Sequence, residues 1–240
     1  MPDNMPETAA PLILLTRPQP AAERFAAACT ARFGARARPV LAPLMAIVPH
    51  DPLPDLTGLT GLIFTSEPGV TVFGSLTDRR DLPAFCVGDR TAAAAASLGL
   101  AARSAGGTAE DLLRLVIDSV PPGSRMLHAH GVHVRGDLVA RLGARGIAAQ
   151  GAALYDQADL APDASFRAAI AGPDRVLVPL FSPRSAALFS AAAGPRAAHV
   201  APVAISAAVG AALPPDWRSG CATAPAPTAD AVLQTLADLI

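Results

Sequence analysis

Short apolar runs alternate along this chain with stretches whose apolar residues recur at helical spacing. Leu12-Ile13-Leu14-Leu15, closed by Thr16-Arg17-Pro18, reads as a buried strand. Residues 20–33 then place Phe25, Ala28, Cys29 and Phe33 on one helical face, and Gly34 ends the helix. Residues 40–48 are extended but broken by Pro43, which suits an edge or linker strand. Gly61-Leu62-Ile63-Phe64 is a second buried strand; it runs into Thr65-Ser66 and a short helix at 69–76. Residues 84–88 form a strand, followed by an alanine-rich helix at 91–98. Thr108 suits the N-cap of a helix at 109–119, with Glu110 and Asp111 in its first turn.

Pro121-Pro122-Gly123 interrupts the chain, and the pattern resumes. A strand at 125–130 precedes a helix at 136–142. The stretch 150–159 has no helical spacing and holds the one tyrosine, Tyr155, so it is expected to be a connecting strand between two domains, with Tyr155 facing the gap. Helices are expected at 166–171, 184–193 and 207–213, strands at 175–181, 200–205 and 220–224, and a last helix from Ala229 capped by Thr228. Strands alternating with helices throughout predict an α/β class with parallel sheets. Ligands of such sheets bind beyond the carboxyl ends of the strands, where the hydroxyl- and glycine-bearing turns of this chain fall.

The second half restates the first. Phe64-Thr65-Ser66 recurs as Leu180-Phe181-Ser182, Gly88 to Thr91 as Ser206 to Val209, and Thr108-Ala109-Glu110 as Thr228-Ala229-Asp230, each about 120 residues on. Leu14-Leu15-Thr16 recurs as Met126-Leu127-His128, and the extended segments 40–48 and 151–160 then correspond. Two similar α/β domains joined by two strands follow; a generic α/β chain aligning with itself is the plainer alternative.

Composition narrows the function. The 240 residues are 51% hydrophobic and 16% charged, so a folded core is expected. All 19 basic residues are arginine, which with the abundant alanine and proline reads as coding bias. A net charge of −1 without a basic run argues against nucleic-acid binding. An anionic small ligand stays open, because helix N-termini and single arginines can hold carboxylates. Cys29, Cys86 and Cys221 form no CxxC pair and read as free thiols of a reducing compartment. No apolar run is long enough to cross a bilayer, and residues 1–10 lack a signal-peptide pattern, so a cytoplasmic protein without membrane association is expected.

In order and spacing these motifs resemble the uroporphyrinogen-III synthase family. The resemblance runs from Leu14-Leu15-Thr16-Arg17-Pro18 through Leu62-Ile63-Phe64-Thr65-Ser66, Gly69-Val70 and Cys86-Val87-Gly88 with Thr91-Ala92. It continues through Tyr155, at the place of a tyrosine in the family's second linker, to Phe181-Ser182-Pro183 with Ser185 and Phe189, and Pro227-Thr228. It implies two similar parallel-sheet, flavodoxin-like α/β domains joined by a two-stranded linker, with the active site in the cleft. Residues 1–39 with 160–240 would make one domain and 49–150 the other, with 40–48 and 151–159 as linker strands. The implied reaction closes the linear tetrapyrrole hydroxymethylbilane to uroporphyrinogen III, with inversion of ring D and loss of water, using no metal or cofactor; a monomer is expected. Pro68, Ser206, Val209 and His130-Gly131 depart from the family's usual residues.

A carboxylate-rich substrate that must lose a hydroxyl calls for an acid and for positioning groups. Tyr155 is the candidate acid, with interfacial packing as its plainer role. Thr65, Ser66, Gly88, Thr91, Ser182, Ser185 and Thr228 are candidate substrate-binding residues, with helix capping as the plainer role of the hydroxyls. Arg17 is the candidate cation, and Arg90, Arg135 and Arg184 also follow strands. His128 and His130 share a strand face and His133 lies near, but no cysteine or carboxylate completes a tetrahedral metal set. A non-catalytic two-lobed binder of a small anion is the alternative from another class.

Overall fold

The computed structural model describes residues 9–50, 52–133 and 136–240; Arg135 and most of the N-terminal stretch 1–10 lie outside them. In chain order the elements are β1 (Leu12–Leu15), α1 (Gln19–Phe33), β2 (Arg38–Leu41), β3 (Met45–Pro49), β4 (Gly61–Phe64), α2 (Glu67–Leu76), β5 (Pro83–Cys86), α3 (Asp89–Ser97), β6 (Ala101–Ser104), α4 (Ala109–Ser119) and β7 (Arg125–Gly131). There follow α5 (Leu138–Gly143), β8 (Ala148–Asp159), α6 (Ala164–Ala171), β9 (Val176–Leu180), α7 (Pro183–Ala193), β10 (Val200–Ala204), α8 (Ala207–Ala211), α9 (Pro215–Arg218), β11 (Ala222–Thr223) and α10 (Ala229–Leu239). The described residues divide into two compact units. Unit 1 comprises the chain up to Ala46 together with Asp159–Ile240, and unit 2 is Ile47–Ala158.

Unit 1 is built on a five-stranded sheet of order β11-β10-β9-β1-β2 whose paired strands are all parallel. Numbered along the chain this is the 2-1-3-4-5 order of flavodoxin-like folds. Both faces are covered, which is why the strands read as unbroken apolar runs. Ile13 and Leu15 pack with Phe25, Phe33, Val232 and Leu236 of α1 and α10. Leu14, between them in sequence, packs on the opposite face with Val178, Phe189 and Trp217. The fully buried indole of Trp217 stands edge-on to Phe189 and donates to the Gly194 carbonyl at 2.9 Å.

Unit 2 has a six-stranded sheet of order β3-β8-β7-β4-β5-β6. Ile63, Phe85 and Met126 face Leu112 of α4 and Leu142 of α5. Leu62, Phe64, Leu127 and Ala129 face Val70 and Phe73 of α2. Reading β4 against β9, β5 against β10, β6 against β11, β7 against β1 and β8 against β2 gives both sheets one spatial order, entered by the chain at different strands. These are the pairs that the sequence repeat matches.

The extended segment 40–48 resolves into two strands in different sheets, with Pro43 in the break between them. Each is an edge strand, as expected of a segment that cannot donate at the proline. The Leu160 amide donates to the Leu44 carbonyl, and the His50 amide to the Leu154 carbonyl, so β3 runs antiparallel to β8. Two elements escaped the sequence pattern. Strand β6 has a half-exposed Ala-Ala-Arg-Ser sequence, and α9 is a single turn after Pro214. Helix α2 begins two residues earlier than expected, because Pro68 fits its first turn.

Candidate functional site at the sheet switch points

Each sheet has one place where the chain order reverses. In unit 2 it lies between β4 and β7, since β5 and β6 continue from β4 on one side while β7 and β8 lie on the other. In unit 1 it lies between β9 and β1. Loops diverge there beyond the strand ends and leave a crevice for a ligand.

The unit 2 switch point carries a polar network. Thr65 follows β4, and its Oγ1 lies 3.1 Å from Nε2 of His128 on β7. Ser66 Oγ accepts the Gly69 amide at 3.3 Å as N-cap of α2 and lies 2.8 Å from the Tyr155 hydroxyl on β8. Tyr155 is 7% exposed, and its ring lies flush on Gly131, where an added Cβ would come within 2.8 Å of it. Gly131 is therefore glycine for closeness of approach, at the register shift between β7 and β8. Gly69 is glycine for the same reason: a Cβ there would stand 2.9 Å from the Ala129 carbonyl oxygen, so α2 sits tightly on β7.

His128 is 2% exposed, and its ring centroid lies 4.8 Å from that of His130. Burial, with a smaller contribution from His130, pushes its pKa from 6.5 down to about 4, so the imidazole is neutral at ordinary pH. His130 Nδ1–H donates to the Gly131 carbonyl at 2.7 Å. Among the described residues no group of three or more His, Cys, Asp or Glu side chains is placed to hold a metal ion. Burial pushes the thiols of Cys29 and Cys86 up to about 12 and about 11, which leaves them protonated and unreactive.

The other candidates fall at strand ends but are employed differently. Gly88 is the N-cap of α3, and Thr91, two residues inside that helix, is buried. Beside them the Asp89 carboxylate accepts from Ser104 Oγ at 2.6 Å. In unit 1, Ser182 and Ser185 form a reciprocal capping box at the start of α7. Ser185 Oγ also donates to the Ser182 carbonyl at 2.7 Å, so the helix start uses it fully. Thr228 caps α10, accepting the Ala231 amide at 3.2 Å. The Arg17 guanidinium lies 3.9 Å over the ring of Phe181, which bridges the unit 1 switch point. Arg184 pairs with Asp159 at 2.7 Å.

Capping thus accounts for the hydroxyls of Ser66, Ser182 and Thr228 but not for those of Thr65 and Thr91. Sequence reasoning missed the partnership of His128 with Thr65. Its trace is the alternation of His128 and His130 on a strand directly followed by glycine, a pattern that equally suits part of a metal set.

Comparison with known proteins bears on the fold and the family. Over 96% of its length the chain is similar to all of uroporphyrinogen-III synthetase from Helicobacter pylori 26695, with 15% identity and a TM-score of 0.67. Over 95% of its length it is similar to 98% of a mutant uroporphyrinogen III synthase from the extreme thermophile Thermus thermophilus, with 17% identity and a TM-score of 0.51. At such identities these likenesses speak for the fold. No curated protein matches the chain. The model of the family described as uroporphyrinogen-III synthase HemD matches residues 23–234, and the chain belongs to that family.

Proposed function

We propose that the unit 2 switch point holds the reacting end of hydroxymethylbilane, with Tyr155 as the acid that assists departure of the hydroxyl. The activity is that of the family: a cyclising lyase of haem biosynthesis closes hydroxymethylbilane to uroporphyrinogen III, inverting ring D and releasing water. The observation that carries the residue assignment is the 2.8 Å contact between Ser66 Oγ and the Tyr155 hydroxyl. Ser66 accepts the Gly69 amide. Either hydroxyl can donate across the contact between Ser66 and Tyr155; with Ser66 as the donor, the phenolic proton is left for a ligand.

The pyrrole nitrogen lone pair expels the hydroxyl, and a phenol in a mostly buried site assists by donating a hydrogen bond as charge develops. The harder task is conformational, because ring D must attack through its substituted carbon. Amides at the starts of α2 and α3, with Thr65 and Thr91, supply fixed donors for the substrate carboxylates at one switch point. At the strand ends of unit 1, Arg17, Ser182, Ser185 and Thr228 make a separate set of groups suited to carboxylates, chiefly through cation and backbone. Among the described residues no helix is long and apolar enough to cross a membrane. The free thiols of Cys29, Cys86 and Cys221 suit work in a reducing compartment such as the cytoplasm.

Tyr155→Phe tests the assignment. Turnover of hydroxymethylbilane is expected to fall about 100-fold with little change in thermal midpoint, since one hydrogen bond is lost. A variant that turns over at the wild-type rate removes Tyr155 from the chemistry.

A further inference from the structure

His128 has no part in the proposal above, yet its ring is fixed on several sides. Nε2 meets Thr65 Oγ1 at 3.1 Å, and the His130 ring lies 4.8 Å away. His130 is itself held by the Gly131 carbonyl, and its Nε2 fills the space over Gly151, where an added Cβ would come 2.9 Å from it. Thr65 stands at the switch point with a hydroxyl that caps no helix, because Ser66 does that for α2. A half-buried threonine beside a buried histidine, across the one gap where the chain order reverses, is more than core packing requires.

We propose that His128 is a positioning residue for the synthase reaction, its Nε2–H fixing the Thr65 hydroxyl so that this hydroxyl donates its proton to a carboxylate of the bound bilane. The inference rests on the synthase reading of this site. A neutral imidazole with the proton on Nε2 donates to the Thr65 oxygen, and the threonine proton is then free for an anion. With the proton on Nδ1, Thr65 donates inward to the ring and turns lone pairs toward any incoming carboxylate. A carboxylate beside Thr65 therefore selects the Nε2–H form. Burial and His130 keep the ring uncharged, so what His128 supplies is direction. An apolar side chain of similar volume fills the space but cannot orient the hydroxyl.

The test is a double-mutant cycle read in kcat and KM for hydroxymethylbilane, with a thermal midpoint for each protein. Thr65→Val and His128→Met are each expected to raise KM about tenfold, the loss of one hydrogen bond to a charged group, with a smaller change in kcat. The double variant is expected to be no worse than Thr65→Val alone, because both changes remove the same interaction. His128→Gln, whose amide N–H can reach Thr65, is expected to restore most of the loss. Should His128→Met not fold, His128→Asn, too short to bridge to Thr65, takes its place. Wild-type KM in His128→Met or His128→Asn, or losses that multiply in the double variant, overturns the inference while leaving the synthase reading intact. A wild-type chain that does not consume the bilane overturns that reading, and this inference with it.

Discussion

Tyr155 depends on two neighbours that do no chemistry: Ser66, which engages its hydroxyl, and Gly131, whose missing Cβ leaves room for its ring. Gly131→Ala places a methyl 2.8 Å from that ring and must displace it or the strand. The expected cost is about 1–3 kcal/mol of stability, from overpacking, and about a tenfold or greater fall in turnover. Unchanged turnover in a folded Gly131→Ala protein would mean that the phenol needs no fixed place. His128 gives a pH signature. Its pKa falls from 6.5 to about 4 on folding, so the unfolded chain takes up a proton first as pH drops. The stability at stake is fully present above about pH 6.5 and is lost as pH falls through about 4, up to about 3 kcal/mol in all. Denaturant midpoints at about pH 7 and about pH 4.5 should therefore diverge in the wild type more than in His128→Gln; equal divergence contradicts the assignment. Little of this was legible beforehand. Tyr155 and Thr65-Ser66 stood out by type and position, but a hydrogen bond between His128 and Thr65 joins a residue on β7 to the turn after β4, and no local pattern encodes such pairings.

At the scale of elements the helix starts carry the argument. Ser66, Thr108, Asp163, Ser182 and Thr228 each accept an amide from the first turn of the helix they begin. Four of these sites were readable as hydroxyls between an apolar run and a helical period, because the cap is a local interaction. Thr228→Ala is expected to lower stability by about 1 kcal/mol, as read in a denaturant titration. If Thr228 serves the substrate only by ordering α10, KM stays within about twofold of wild type; a large rise in KM at unchanged stability would assign its hydroxyl a direct contact. The elements that eluded the pattern were those with least burial to shape it. Strand β6 alternates between exposed and half-buried positions at a sheet edge, and α9 is one turn long. The segment 40–48 shows the converse: Pro43 marked a discontinuity correctly, but only the pairing partners reveal that β2 and β3 serve different sheets.

At the scale of the molecule the two sheets share a strand order although the chain enters them at different strands. The repeat was legible because both copies bury both faces of a parallel sheet, and the same physics imposes the same runs on each. The order of strands was not, since period and capping say nothing about which parallel strands are neighbours. The shared order puts a switch point in each unit. One is lined by Thr65, Ser66, His128 and Tyr155, the other by Arg17 over Phe181. The central claim is that this chain closes hydroxymethylbilane with ring D in the inverted sense. It is tested by incubating the bilane with a catalytic amount of the chain, oxidising the product and resolving its isomers. The expected result is uroporphyrinogen III in large excess over the amount formed without protein. Uroporphyrinogen I alone, the product of unassisted closure, would contradict it.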